Sequence, residues 1–193
     1  MMGLILGTVA NNAPVVGMAD ADILLSGGSG TNLPMMSVNN AINSASQSYT
    51  NNVVYGNEQD DFITTGNGDD LIYAAEGNNY IVSDGGNDTI YTGSGNDYIN
   101  AGTGINTVWL GGGDDTVALE FQGFTTINNF NAEQTKIDLL GIAGSASLIQ
   151  DGQDTLVGLG NHSILARIKF VDINTVAANS VDIFGEQLSI FTS

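Results

Sequence analysis

The sequence predicts an all-β solenoid, a parallel β-roll or β-helix with 18 residues per turn, carrying an N-terminal cap and a β-rich C-terminal cap. Three observations carry that expectation. A nine-residue repeat runs from about residue 47 to residue 118 without a slip in phase. Its eighth position reads Val54, Ile63, Ile72, Ile81, Ile90, Ile99, Val108 and Val117, and its sixth reads Asn52, Asp61, Asp70, Asn79, Asp88, Asp97, Asn106 and Asp115. Aromatic residues recur at twice that spacing. Tyr55, Tyr73, Tyr91 and Trp109 stand at the ninth position, and Phe62, Tyr80 and Tyr98 at the seventh position of the intervening blocks.

Positions seven to nine of each block read as a three-residue strand. Side chains alternate across a strand, so position eight points inward while seven and nine point outward. Glycine-rich turns take up the rest, with Gly68, Gly77, Gly86, Gly95, Gly104 and Gly113 at the fourth position of the last six blocks. Two blocks make one turn of the coil, because only an 18-residue turn stacks the aromatic columns. Turns about 4.8 Å apart then line each outer face with an aromatic ladder.

The chain divides into an N-terminal cap or arm at 1–46, the roll at 47–127 and a C-terminal β cap at 128–193. Within the first part, 22–32 reads as one more turn with a one-residue insertion, after which Pro34 and the polar stretch 37–48 break phase. A solenoid needs its ends covered, which is the role expected of both flanks. In the last part, 147–159 and 164–170 read as strands around Asp151-Gly152 and Gly160-Asn161 turns. Alternation predicts Ile164, Ala166, Ile168 and Phe170 on one face, with Leu165, Arg167 and Lys169 on the other.

Charge narrows the partners. The chain carries 21 acidic and 3 basic residues, a net charge of -18, although only 12% of its residues are charged. The repeat block holds no Lys or Arg; Lys136, Arg167 and Lys169 all come later. Such a surface repels nucleic acid and anionic membranes and favours cations. There is no cysteine and so no disulfide framework. The apolar start, Met1-Met2-Gly3-Leu4-Ile5-Leu6-Gly7, is short and lacks basic residues, so export without a cleaved N-terminal signal is expected. No run is long enough for a spanning helix, and membrane insertion is not expected.

The sixth column asks for a metal. Asp70 lies one turn from Asp88, and Asp97 one turn from Asp115. Bare charges about 5 Å apart repel by roughly 0.8 kcal/mol in water and about 3 kcal/mol at an effective dielectric of 20. A divalent cation between the turns reverses the sign of that interaction. Calcium takes six to eight hard oxygen ligands, which carboxylates and turn carbonyls supply. Zinc would want His or Cys, and the chain has one His and no Cys.

These columns, close to G-G-x-G-x-D-x-U-x, resemble the RTX family of calcium-binding β-rolls found in bacterial toxins, secreted proteases and surface proteins. The resemblance implies several calcium ions, each between turns of blocks two apart and held by turn carbonyls and sixth-position Asp. It implies Asp70 with Asp88 and Asp97 with Asp115 as the best sites, flanked by Gly66, Gly68, Gly86, Gly93, Gly95, Gly111 and Gly113. Asn79 with Asp97, and Asp88 with Asn106, are weaker because one carboxylate is replaced by an amide. Asp61 stands in the poorest turn, since Asn57 and Gln59 replace both of its glycines, and Asn52 lies in a block without glycine. Segments 127–130 and 135–139 resemble the stretch that closes such rolls, with Thr135 where the family usually has Asp. The tail, 181–193, resembles an uncleaved C-terminal signal for type I secretion, which implies that machinery as a partner and a bacterial extracellular or cell-surface location.

No enzyme is expected. The sequence holds no H-E-x-x-H, no nucleophile elbow and no phosphate loop followed by Lys. His162, in a Gly-Asn-His-Ser turn, reads as a solvated loop residue. The aromatic ladders either stiffen the sheets from outside or mark an interface, for self-assembly or for glycan stacking. The expected function is a secreted, non-enzymatic extracellular structural subunit of a surface layer, sheath or fibre, a homo-oligomer or polymer that forms with calcium. The alternative is a calcium-dependent adhesin for surface polysaccharide.

Overall fold

The computed structural model describes residues 51–140, 146–159 and 163–185 in full, and the strand backbones at 15–16, 22–25, 34–36, 40–43 and 189–190. His162, the Gly160-Asn161 turn, 26–32 and the tail beyond Gly185 apart from its last strand lie outside the described residues.

Two parallel sheets wind as a single coil. One stacks Val53–Tyr55, Leu71–Tyr73, Thr89–Tyr91, Gly104–Trp109 and Gly123–Asn128; the other stacks Phe62–Thr64, Tyr80–Val82, Tyr98–Asn100, Thr116–Ala118 and Lys136–Asp138. The register is the sequence period made physical. Val54 pairs with Ile72 and Ile72 with Ile90 on one side, Ile63 with Ile81 and Ile81 with Ile99 on the other. Every eighth-position side chain from Val54 to Val117 is fully buried.

The alternation runs one residue past each strand in both directions, so positions six, eight and one all face inward. That places the acidic column inside the roll. It also buries a first-position column that periodicity of apolar residues does not reveal: Thr65, Ala74, Ser83, Thr92, Ala101 and Leu110.

The turns stack as tightly as the strands. Ladder bonds continue through them, as from Gly68 N to Gly85 O (2.7 Å) and from Gly95 N to Gly112 O (2.7 Å). At Gly86, with φ +134°, a Cβ would sit 2.0 Å from Gly68 O; at Gly93, with φ +86°, it would sit 1.6 Å from Ala75 O. Left-handed backbone and the approach of the neighbouring turn both exclude a side chain there.

Toward the N-terminus both ladders continue. Val15–Val16 lies beside Pro34–Met36, which pairs with Val53–Tyr55, and Asp22–Leu25 lies beside Asn40–Asn43, which pairs with the strand starting at Phe62. The break in phase appears as longer steps, 19 residues from Pro34 to Val53 and 21 from Ile42 to Ile63. Pro34 opens its strand, a position where its missing N–H is tolerated.

At the other end Ile164–Ile168 pairs in parallel with Gly123–Asn128, and an antiparallel hairpin, Asp154–Leu159 with Ala146–Asp151, extends that sheet. Two short helices follow. Helix α1, Ile173–Ala178, starts where the Asp172 carboxylate accepts the Asn174 N–H, and it buries Ile173 and Val176. Helix α2, Ser180–Phe184, ends at Gly185 in the left-handed conformation and packs on Lys136–Asp138. No helix among the described residues is long and apolar enough to cross a membrane.

The predicted alternation in 164–170 needs correcting. Ala166 and Ile168 are buried as expected, but Leu165 is only 1% exposed and Phe170 is 74% exposed. The strand stops at Ile168, and the chain turns so that Phe170, with φ +58°, donates its N–H to Asp154 Oδ1. Arg167 and Lys169 do face outward. They converge on Asp154 Oδ2 at 2.8 Å each, and Arg167 also reaches Asp151 at 2.6 Å.

Burial pushes the Asp154 carboxyl up, but the Lys169 ammonium, the Phe170 N–H and the Arg167 guanidinium outweigh it and hold it at about 2. An Asp held below its unfolded value of about 3.9 contributes stability above that value and loses it as pH falls through the folded one. Asp154→Asn should therefore lower stability by about 2 kcal/mol at pH 7. The gap to the unaltered protein should close near pH 2 in paired calcium-containing melts; an equal gap at both pH values rejects the ion cluster as its origin.

Candidate metal centres

From Asp70 to Asp115 each sixth-position side chain acts first as a hydrogen-bond acceptor. It reaches back one turn to the N–H of the sixth-position residue below. In one column Asn52 N donates to Asp70 Oδ1 (2.7 Å) and Asp70 N to Asp88 Oδ1 (2.9 Å). In the other, Asn79 N donates to Asp97 Oδ1 (2.8 Å) and Asp97 N to Asp115 Oδ1 (3.0 Å). The same pattern joins Asp61 N to Asn79 Oδ1 and Asp88 N to Asn106 Oδ1, both at 2.9 Å.

The fifth position runs the opposite ladder on the outside. Asp69 N donates to Asn51 Oδ1, Asn87 N to Asp69 Oδ1, Asn96 N to Asn78 Oδ1 and Asp114 N to Asn96 Oδ1, at 2.7–2.8 Å. The expectations from sequence did not include this column. Its signal is the run Asn51, Asp60, Asp69, Asn78, Asn87, Asn96 and Asp114, broken only by Ile105.

One oxygen of each carboxylate is thus committed to the ladder. The other is not: Asp70 Oδ2, Asp88 Oδ2 and Asp97 Oδ2 are buried without a hydrogen-bond partner. Burial drives Asp88 up to about 7, against the lowering from the nearby Ser83 hydroxyl, whose own proton goes to Ala101 O (3.2 Å), and from the Asp70 N–H, and Asp70 adds like-charge repulsion. Burial likewise raises Asp97 to about 6 and Asp115 to about 7, and it raises Asp70. An anionic oxygen in such a place is costly unless a proton or a cation meets it.

The donor set fits calcium. The predicted glycines all lie in the turns leading into these acids, Gly66 and Gly68 before Asp70, Gly86 before Asp88, Gly93 and Gly95 before Asp97, Gly111 and Gly113 before Asp115. Ala75 and Asp84 hold the same left-handed turn conformation without being glycine, with φ +70° and +62°. Among the described residues no three His, Cys, Asp or Glu side chains gather closely enough to hold a metal by themselves. Peptide carbonyls of the turns, amide oxygens and water, all hard oxygens suited to calcium, would complete the set.

The columns are not uniform. Asp70 with Asp88 and Asp97 with Asp115 occupy successive turns as expected, each pair on its own edge of the roll. Asp61 commits its second oxygen to its own turn, accepting the Asn57 N–H at 2.9 Å. Asn52 donates both its N–H and its amide to Asp70 Oδ1.

Two outcomes follow from this geometry. Asp97→Ala should weaken calcium binding more than Asp61→Ala in calorimetric titration, and equal effects reject the distinction between them. The second concerns pH. Asp88, Asp97 and Asp115 keep protons in the metal-free fold that the unfolded chain has already lost, so their contribution is present below about pH 4 and disappears as pH rises through 6–7. Calcium-free protein should therefore melt at a higher temperature at pH 5 than at pH 8, and millimolar calcium should reverse that order. Melting that is independent of pH without calcium contradicts the assignment.

Comparison with known proteins finds the same nonapeptide repeat. Residues 48–81, 73–108 and 91–120 match the RTX calcium-binding nonapeptide repeat, four copies. No curated protein sequence matches significantly. Among solved structures, similarity extends to the solution structure of the AlgE6R3 subunit from the Azotobacter vinelandii mannuronan C5-epimerase. It is 21% identical, with a TM-score of 0.41, over 69% of this chain and 77% of that one. The repeat block of this chain thus carries the RTX calcium-binding nonapeptide repeat and is folded as a parallel β-roll.

Proposed function

We propose that the protein is a secreted, non-enzymatic structural subunit that folds on calcium outside the cell and then associates laterally into a layer, sheath or fibre. The observation that carries this reading is the pair of aromatic ladders on the outer faces of a metal-dependent core. Tyr55, Tyr73 and Tyr91 stack at 5.3 and 4.8 Å between ring centroids, with Trp109 continuing at 6.2 Å. On the opposite sheet Phe62, Tyr80 and Tyr98 stack at 5.1 and 4.9 Å. Interplanar angles are at most 9°.

Four of these rings are open to solvent at about two-fifths of their area: Tyr55, Phe62, Tyr80 and Trp109. Flat apolar stripes of this kind favour contact with another surface. The charge of -18 opposes contact between copies until calcium reduces it. End-to-end stacking through the C-terminal end has less support, because helix α2 packs against the last strand of one sheet and Ile164–Ile168 covers that of the other. Extracellular calcium modules bind at about 10⁻⁴–10⁻³ M, which suits a chain whose repeat block is only marginally stable before export. Export by a type I system belongs to the same reading.

The same ladders favour a second reading, since planar rings in register also suit the faces of sugar rings in a surface polysaccharide. Electron microscopy and sedimentation velocity in millimolar calcium separate the two. Assembly should appear with protein and calcium alone, and the double variant Phe62→Ser, Tyr80→Ser should abolish it while calcium-induced folding survives. A strictly monomeric species at high protein concentration overturns the subunit reading, and binding to added polysaccharide then supports the adhesin.

A further inference from the structure

We propose that Asn79 and Asn106 are metal-independent rungs, whose side-chain amides stand where the aspartate rungs require a cation and so decide which steps of the roll bind calcium. This deepens the calcium reading and rests on it. The register separates the sixth positions into two columns, one reading Asn52, Asp70, Asp88, Asn106 and the other Asp61, Asn79, Asp97, Asp115. In each column a step with Asp on both sides, Asp70 to Asp88 or Asp97 to Asp115, adjoins a step that contains Asn.

The two residue types perform the same first task. Asn79 Oδ1 and Asn106 Oδ1 accept the N–H of Asp61 and Asp88 at 2.9 Å, as Asp88 Oδ1 accepts that of Asp70. They differ at the second atom. Asn106 Nδ2 donates to Ala101 O at 2.8 Å and points also at Gly102 O at 3.5 Å. Asn79 Nδ2 lies 3.2 Å from Gly77 O and 3.4 Å from Glu76 O. These acceptors are peptide carbonyls of the same nonapeptide turns. At Asp88 and Asp97 the corresponding second atom is an oxygen, and it is buried without a partner.

Replacing an NH₂ by an oxygen at nearly unchanged shape turns two donors into an anionic acceptor. Facing carbonyl oxygens, that acceptor needs a positive charge between; the amide needs nothing. Asn79 is 2% exposed and Asn106 is fully buried, so water does not substitute for the partner. The asparagines hold their turns closed without calcium, and the aspartate steps need a cation or a proton to do the same.

The test counts calcium and measures metal-free stability in the full chain. Equilibrium dialysis with metal analysis should find at least one more ion bound to Asn79→Asp and to Asn106→Asp than to the unaltered protein. Both variants should melt at lower temperature when calcium-free. Asp88→Asn should do the reverse, binding fewer ions and melting several degrees higher without calcium. If the unaltered protein binds calcium while these substitutions change neither the count nor the metal-free melting temperature, the rung assignment is overturned and the calcium reading stands. If the unaltered protein binds no calcium, the calcium reading fails. A stabilising Asp88→Asn in that case still supports the amide chemistry, and an unaltered melting temperature overturns it. Should Asn79→Asp or Asn106→Asp fail to fold, the Asp88→Asn arm decides by the same two readouts.

Discussion

The structure depends on one inward-facing N–H per block. At the sixth position the backbone donates along the axis of the coil, toward the turn stacked above, and a buried donor must be satisfied. For Asn52, Asp61, Asp70, Asn79, Asp88 and Asp97 no backbone carbonyl serves there. The acceptor is instead the side chain of the sixth residue one turn later, as in the bonds from Asp70 N to Asp88 Oδ1 and from Asp97 N to Asp115 Oδ1. Only a short side chain with an sp² oxygen fits, which restricts the column to Asp and Asn. Asp and Asn both meet that need, and the requirement for a cation arises only where the acceptor is Asp.

Other features follow from the same stacking. A side chain that spans a single turn requires turns at constant spacing, and constant spacing brings every ninth-position or seventh-position ring over its neighbour. Centroid separations of 4.8–5.3 Å within the tyrosine and phenylalanine ladders are therefore the axial repeat seen from outside. The turns must approach as closely as the strands do, which is why a Cβ at Gly86 would overlap Gly68 O. The fifth-position side chains bond in the opposite axial direction, so two adjacent peptide N–H groups are held from above and below.

Much of this was legible because the coil repeats its geometry every 18 residues. The eighth-position core, the aromatic columns and the turn glycines each appear in the sequence as a fixed residue type at a fixed spacing. The first-position column did not, because Thr65, Ala74, Ser83, Thr92 and Leu110 share burial without sharing chemistry. The amide contacts of Asn79 and Asn106 were also hidden, since a lone sequence presents Asn as a weaker Asp and not as a donor to its own turn. Outside the array, helix α1 could have been found from Asp172 followed by apolar Ile173 and Val176, and the end of α2 from Gly185. Phe170 could not. Its exposure depends on a turn fixed by Asp154, a residue distant in sequence.

Asp154 and Asp88 show how differently the two parts of the molecule treat a buried acid. The cap gathers Arg167 and Lys169 on the Asp154 carboxylate, and the acid is held at about 2. The roll has no basic residue to offer, and Asp88 is pushed to about 7. Both acid columns also end before the cap begins: the register places Thr125 beside Asn106, and Thr135 just ahead of the Lys136 that pairs with Thr116. Neither threonine adds charge to the junction, and the Thr135 hydroxyl accepts the Asn131 N–H within its own turn at 3.3 Å. The cap therefore meets Asp151 and Asp154 with cations built into the chain, and the roll leaves the same requirement to a cation from solution.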